Sequence, residues 1–140
     1  MWKRALLCVL CLLFNSSFVL ADEEATGEGE AVQNDYQYFS LEPDIITNYI
    51  KPGKRIGFVR VTVELMVKSK SNYALIDEHE PLIRDKIIAI FGQQNEAMVK
   101  SITEREGIRA RCLEEVNQLL YTETGKKPLE DVLFTKYLYQ

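Results

Sequence analysis

The clearest pattern in the chain is a strict alternation of apolar and mostly polar residues between Gly57 and Lys68. Five apolar residues occupy every second position: Val59, Val61, Val63, Leu65 and Val67. A period of two over ten residues predicts a β-strand with one face against a core. A half-buried strand of this kind is typical of an antiparallel or mixed sheet.

The residues before this strand predict further β-structure. Tyr36–Leu41 is rich in aromatic residues and indicates a first strand, which we expect Glu42-Pro43 to break or bend because proline cannot donate to a ladder. Ile45–Ile50 can continue the strand, and Lys51-Pro52-Gly53-Lys54 has the composition of a turn.

The residues after the long strand predict three helices. Asn72–His79 is short and helical in composition, and Pro81 suits the first turn of a second helix that Gly92 ends. Ser101–Glu104 and Thr103–Glu106 are overlapping capping-box candidates for a third helix, which runs to about Glu123 and ends near Gly125.

The last residues predict a final strand from about Val132. Simple alternation places Phe134 with Lys136 and Leu138 on one face, and Thr135 with Tyr137 and Tyr139 on the other. The strand either completes the sheet as core or lies at an edge, where it could pair with a neighbouring subunit. Strands at both ends with helices between them predict a single small α+β domain, in which the helices pack on one face of an antiparallel or mixed sheet.

The N-terminus has the pattern of a signal peptide. Lys3 and Arg4 precede an apolar run from Ala5 to Phe14, and Ala21 is a small residue at a suitable cleavage point. Ten apolar residues are far fewer than the ~20 that cross a bilayer as a helix. Residues 1–21 are therefore expected to be a cleaved signal peptide, with a short uncleaved membrane anchor as the alternative.

Charge divides the exported chain into two parts. Residues 22–35 hold six acids and no base, whereas residues 36–140 hold 15 acids and 15 bases. We interpret residues 22–35 as an acidic disordered linker, with an acidic binding tail as the alternative. Residues 36–140 form the domain. With no basic block, the chain is a poor candidate for binding nucleic acid.

Few residues could carry chemistry. The chain has one His, three Cys and no Gly-rich phosphate loop, so we predict no catalytic, cofactor-binding or metal site and expect no cofactor. His79, Glu80, Arg84 and Asp85 are best explained as a helix junction with paired charges, and its solvated face is our candidate contact surface. Cys112 is expected to be a small apolar residue on a helix face.

Lys51, Lys54 and Arg55 form a small basic cluster at the predicted turn. A solvated hairpin tip is the simplest interpretation. Contact with anionic lipid headgroups is the alternative, although three cations make a weak anchor.

Several motifs together resemble one protein family, the FliL family of flagellar basal-body-associated proteins. Tyr38-Phe39-x-Leu41-x-Pro43 and Asn48 open the domain, and His79-x-Pro81-x-Ile83-Arg84-Asp85 follows the long strand. Glu106-Gly107-x-Arg109 and Val116-Asn117-x-Leu119-Leu120 lie in the long helix, and Val132-x-Phe134-Thr135-x-Tyr137-x-x-Gln140 closes the chain. The order and spacing of these fragments cover nearly all of residues 36–140.

The resemblance implies a non-enzymatic accessory protein of the flagellar motor. Members are inner-membrane proteins with a periplasmic domain similar to the stomatin/prohibitin-type domain. They associate with ion-conducting stator units, of the MotA/MotB type or their sodium-driven relatives, and form a homo-oligomeric ring that supports swimming and swarming. The residues that we expect at contacts are His79, Pro81, Arg84, Asp85, Phe134 and Tyr137.

The N-terminus departs from the family pattern. A usual member begins with a basic cytoplasmic stub and a full-length transmembrane helix, whereas the apolar segment here is short and looks cleavable. A periplasmic relative that docks on the basal body from outside the membrane fits this difference. A general envelope scaffold with a stomatin-like domain and no flagellar role is the alternative function.

Overall fold

The computed structural model describes residues 35–140, which contain four strands and four α-helices. The elements follow one another along the chain in this order: β1 (Tyr36–Ser40), β2 (Ile45–Ile50), β3 (Ile56–Lys68), α1 (Lys70–Glu78), α2 (Glu80–Gly92), α3 (Glu96–Lys100), α4 (Ile102–Thr124) and β4 (Leu129–Tyr139). A short 3-10 turn at Pro52–Lys54 joins β2 to β3. The predicted α+β class and the antiparallel sheet are confirmed.

The long strand β3 forms the centre of the sheet. Both β1 and β2 pair antiparallel with one side of β3, so that Tyr36 lies opposite Lys68 and Ile50 lies opposite Ile56. The break between β1 and β2 contains a cis peptide bond before Pro43. β4 pairs with the other side of β3, also antiparallel. The predicted interruption at Glu42-Pro43 therefore separates two strands that share one edge.

The helices cover one face of this sheet. All five alternating apolar residues of β3 are buried, and helix residues such as Ile83, Ile87, Cys112 and Val116 pack in the same core. Every residue of the described core lies between Phe39 and Val132. Cys112 is the buried, apolar helix residue that the sequence predicted.

Helix starts and stops largely follow the predicted signals. Ser101 caps α4 by accepting a hydrogen bond from the Glu104 N–H, and Gly125 ends the helix with a positive φ of 73°. The competing capping box at Thr103–Glu106 is wrong. One helix was not predicted: α3 spans only five residues, is capped by Asn95 and places Val99 in the core.

The predicted alternation along the last strand is wrong because the strand contains a β-bulge. The register shifts between Thr62 and Val63, which lie opposite Lys136 and Phe134. Thr135 is the additional residue, and a bulge of this kind moves the residues beyond it to the opposite face. Phe134 and Tyr137 therefore share the face that carries the helices.

β4 is an edge strand whose first residues also contribute to the core. Within the described residues its only strand partner is β3, while Leu129 and Val132 are buried. The strand begins at Leu129, three residues before the predicted start.

None of the helices that the structure describes combines the length and apolar character needed to cross a membrane. The predicted signal peptide and the acidic linker up to Asn34 lie outside the described residues.

Candidate interaction site

The predicted contact residues between positions 79 and 85 form the junction of α1 and α2. The His79 backbone N–H donates to the carbonyls of Leu75 and Ile76, 3.2 and 3.1 Å away, and so closes α1. The His79 ring Nδ1 lies 2.8 Å from the Leu75 carbonyl oxygen, a contact that requires a proton on Nδ1. Pro81 is exposed in the first turn of α2. His79 therefore shapes the junction.

Arg84 connects this junction to the sheet. Its Nε donates to Glu80 Oε1 at 2.8 Å, and its Nη1 donates to the Pro43 carbonyl oxygen at 2.7 Å. Pro43 lies between β1 and β2, so the guanidinium joins α2 to the break in that edge. Arg84 therefore has a structural role. The fixed geometry of a guanidinium allows its separate N–H groups to donate to two partners at once.

Asp85 has a different environment. It is exposed, and it pairs with no cation in residues 35–140. Together with Pro81 it forms the solvent-facing part of the junction. A change at Asp85 therefore tests surface contact without removing a bond that the described fold uses.

The remaining two predicted contact residues lie in an aromatic cluster beneath β4. Phe134 and Tyr137 are half-buried, and their ring centroids lie 5.6 and 6.1 Å from that of Phe91 in α2. The Tyr137 hydroxyl donates to the Val99 carbonyl oxygen at 3.1 Å. The Arg105 guanidinium lies 4.1 Å from the Tyr137 ring centroid, within cation–π distance. Burial raises the pKa of Tyr137 to about 12, so this hydroxyl remains a donor at neutral pH.

The six predicted contact residues thus form two groups. Arg84 reaches the β1–β2 edge of the sheet, whereas Phe134 and Tyr137 belong to β4 on the other side of β3. The structure does not bring the two groups together in one pocket. The exposed junction and the β4 region are separate candidate surfaces.

Arg109 provides a contact that the sequence analysis did not predict. Its Nη1 donates to an Asp131 carboxylate oxygen and to the Val132 carbonyl oxygen, while Nη2 donates to Glu106. The Glu106 hydrogen bond is the main reason that the pKa of Arg109 is raised. Arg109 therefore joins α4 to the outer edge of β4.

Asn117 makes a second connection between the same elements. Its side-chain amide donates to the Leu129 carbonyl oxygen at 2.9 Å, and its side-chain oxygen accepts from the Leu129 N–H at 3.0 Å. Spacing alone does not reveal these bonds, since Asn117 and Leu129 are twelve residues apart and the predicted strand begins only at Val132. The side chains of Arg109 and Asn117 in α4 thus form hydrogen bonds with backbone groups of β4 that would otherwise lack a partner.

Among the described residues, the potential metal ligands are dispersed and the free thiol of Cys112 is buried. Residues 35–140 contain no cluster of three or more potential metal ligands. Burial raises the pKa of the Cys112 thiol to about 12, so it is protonated at neutral pH and a poor nucleophile. Two shallow grooves of about 490 and 570 Å³ flank α3 and α4. Their linings include Lys51 and Ile50 in the first groove and Arg109 and Leu133 in the second.

The described residues define a small α+β domain, with one antiparallel sheet, helices on one of its faces, and candidate contact surfaces at the helix junction and along β4. Residues 38–140 match the sequence profile of the family described as "Flagellar basal body-associated protein FliL", and the chain belongs to this family. It is also 26% identical over 102 residues to the "Flagellar protein FliL" of Aquifex aeolicus (strain VF5). That alignment covers 73% of this chain and 60% of the Aquifex protein.

Proposed function

We propose that this protein acts in the periplasm as a non-enzymatic accessory of the flagellar motor, binding or encircling the stator as a homo-oligomer and so supporting swimming. The observation that carries this proposal is the family match over residues 38–140. Because the match spans every described element except the first residues of β1, the proposal concerns the whole domain.

Two features of the described residues favour a binding role. The polar contacts at Arg84, Arg109 and Asn117 are used to hold elements together. Pro81 and Asp85, the exposed positions at the helix junction, take no part in these contacts. A partner subunit would thus meet a helix junction that is held by internal hydrogen bonds, and a preorganised surface loses less entropy on binding.

The test is the motility of a deletion strain of the native organism. We expect cells that still assemble flagella but swim more slowly, with speed restored by the wild-type gene. Unchanged swimming together with a general envelope defect would contradict the proposal and favour an envelope scaffold without a flagellar role. The intact mass of the native protein, measured in parallel, shows whether the chain begins at Asp22.

The junction itself is tested with Asp85→Arg. Because Asp85 is exposed and has no described ion-pair partner, we expect normal protein levels but slower swimming. Asp77→Arg is a matched control, since Asp77 is an exposed acid on the neighbouring helix α1. Equal effects of the two reversals would remove the junction from the proposed contact surface.

A further inference from the structure

The open face of the sheet carries a group of exposed apolar side chains at one end. Ile46 and Ile50 of β2, Ile56 and Phe58 of β3, and Leu138 of β4 are each between 52% and 63% exposed. The strand registers place them on neighbouring positions, because Ile50 lies opposite Ile56, and Arg60 lies opposite both Ile46 and Leu138. Arg60 therefore lies between Ile46 and Leu138, and the apolar side chains surround it. Exposed apolar side chains grouped in this way are typical of an interaction surface. We call these five residues the hairpin patch.

The patch occupies only the end of the sheet nearest the β2–β3 turn. Arg60 lies level with Ile46 and Leu138 on this face. Its Nε forms an ion pair with the Asp44 Oδ2 at 2.7 Å, and Thr62 and Glu64 follow on β3. These polar residues separate the hairpin patch from Tyr38, an exposed aromatic residue that lies opposite Met66 near the other end of β3.

The turn beside the patch is cationic. Residues 51–55 contain Lys51, Lys54 and Arg55 and no acid. The charges of the turn act on Glu96 of α3, whose pKa is lowered first by its hydrogen bond with Lys100 and also by the charges of Lys51 and Arg55. Because Lys100 already pairs with Glu96 at 2.7 Å, Glu96 does not offset the net positive charge of residues 51–55.

Apolar and cationic groups at one end of the sheet suit one kind of partner. At an anionic bilayer surface, isoleucine and phenylalanine side chains enter the boundary with the acyl chains, while lysine and arginine meet the phosphates. We propose that the hairpin patch and the residues 51–55 dock the domain on an anionic phospholipid surface. This contact is independent of the proposed stator binding.

The geometry also determines the orientation of the domain on that surface. β3 has 13 residues and a length of about 40 Å, and its far end lies beside Tyr36. The acidic residues 22–35 precede Tyr36 in the chain. The cationic turn and the start of the domain are thus at opposite ends of β3, and the docked domain presents its turn to the lipid.

Flotation with lipid vesicles tests this proposal. Residues 22–140 retain the entire described core and exclude the apolar N-terminal segment, which would bind lipid by itself. We expect flotation with an equimolar mixture of phosphatidylcholine and phosphatidylglycerol, at least tenfold less with phosphatidylcholine alone, and loss of binding in about 1 M NaCl, where charges are screened beyond roughly 3 Å.

Matched variants locate the contact. Lys51→Glu/Arg55→Glu should reduce the bound fraction at least tenfold, since each cation near an anionic surface contributes about fivefold. Lys70→Glu/Lys126→Glu removes two exposed cations away from the turn and should change binding less than twofold.

The apolar residues of the hairpin patch are tested separately. Phe58→Ser should weaken binding, whereas Tyr121→Ser, at a residue that is equally exposed at 52%, should not.

Three results would overturn the proposal. The first is equal binding to both lipid compositions, and the second is an equal loss in the control variants. The third is no flotation at all together with a Phe58-dependent change in sedimentation, which would assign the patch to contact between copies of the chain. Far-ultraviolet circular dichroism of each variant excludes unfolding as the cause of lost binding.

Discussion

At the scale of single residues, Gly57 shows how one close contact restricts the choice of amino acid. A Cβ placed on Gly57 would lie 2.2 to 2.6 Å from the Tyr49 ring. Tyr49 is buried, and its hydroxyl donates to the Gln140 carbonyl oxygen at 2.7 Å. The ring therefore has little freedom to move aside, and glycine is required for packing.

We expect Gly57→Ala to lower the free energy of unfolding by about 1–3 kcal/mol, the usual cost of overpacking a core. Urea denaturation of residues 22–140 would measure it. Gly107 is the control, because a Cβ there would meet nothing within 4 Å. Gly107→Ala should stabilise the chain by about 0.5–1 kcal/mol, the advantage of alanine inside a helix. A destabilisation at Gly107 equal to that at Gly57 would contradict this account.

The environment of Asp44 predicts how the stability of the fold depends on pH. Its carboxylate accepts hydrogen bonds from Thr62 Oγ1 and Arg60 Nε, both at 2.7 Å. These bonds, that of Thr62 foremost, hold the pKa of Asp44 below its usual value of 3.8. The ionised carboxylate therefore stabilises the fold above that usual value, and its contribution is lost as the pH falls through the lower folded-state pKa.

We expect Asp44→Asn to be less stable than the wild type at pH 7 and to lose less stability on acidification. The urea midpoints of the wild type and of Asp44→Asn should converge as the pH is lowered from about 6 to about 2. Asp77→Asn, at an exposed acid of α1, controls for general charge effects. Parallel pH curves for Asp44→Asn and the wild type would contradict the prediction.

At the scale of elements, the contact between α4 and β4 explains how an edge strand is protected. Asn117 pairs with both backbone groups of Leu129, and Arg109 binds the Val132 carbonyl oxygen. Exposed edges invite pairing with other chains, and covering them with a helix is a common protection. The helix therefore covers the beginning of β4.

We expect Asn117→Ala to cost about 1–3 kcal/mol, because it removes both hydrogen bonds and leaves partly buried Leu129 groups unpaired. Hydrogen exchange at the Leu129 amide should accelerate more than exchange in β3. Gln118→Ala, at the next and exposed position of α4, should change neither quantity appreciably. Unaltered protection of Leu129 in Asn117→Ala would show that the bonds do not hold the edge.

The sequence predicted the elements whose signals are local. The alternation in β3, the Ser101 cap and the Gly125 stop each depend on a few neighbouring residues, and all three are confirmed. The bulge at Thr135 depends on pairing with β3, and the five-residue helix α3 is too short for a period to appear. The roles of Arg84 and Arg109 depend on contacts 41 and 22 residues away along the chain, which no spacing rule contains.

At the scale of the whole molecule, the domain combines a fixed interior with distinct exterior surfaces. Motif residues such as Arg84, Arg109 and Asn117 join helices to strands. The exposed positions at the helix junction and the hairpin patch are separate from these bonds. Substitution of the residues that join helices to strands should therefore lower stability. Substitution of the exposed residues should change the binding of partners.

The central proposal is that this FliL-family domain contacts the stator of the flagellar motor, and cross-linking in the native cell tests that proposal most directly. A photo-reactive amino acid at position 85 would capture whatever lies against the α1–α2 junction, with position 127, an exposed lysine beyond α4, as the control. The account predicts adducts that contain a stator subunit from position 85 and none from position 127. Adducts from position 85 that contain only envelope proteins unrelated to the motor would contradict it.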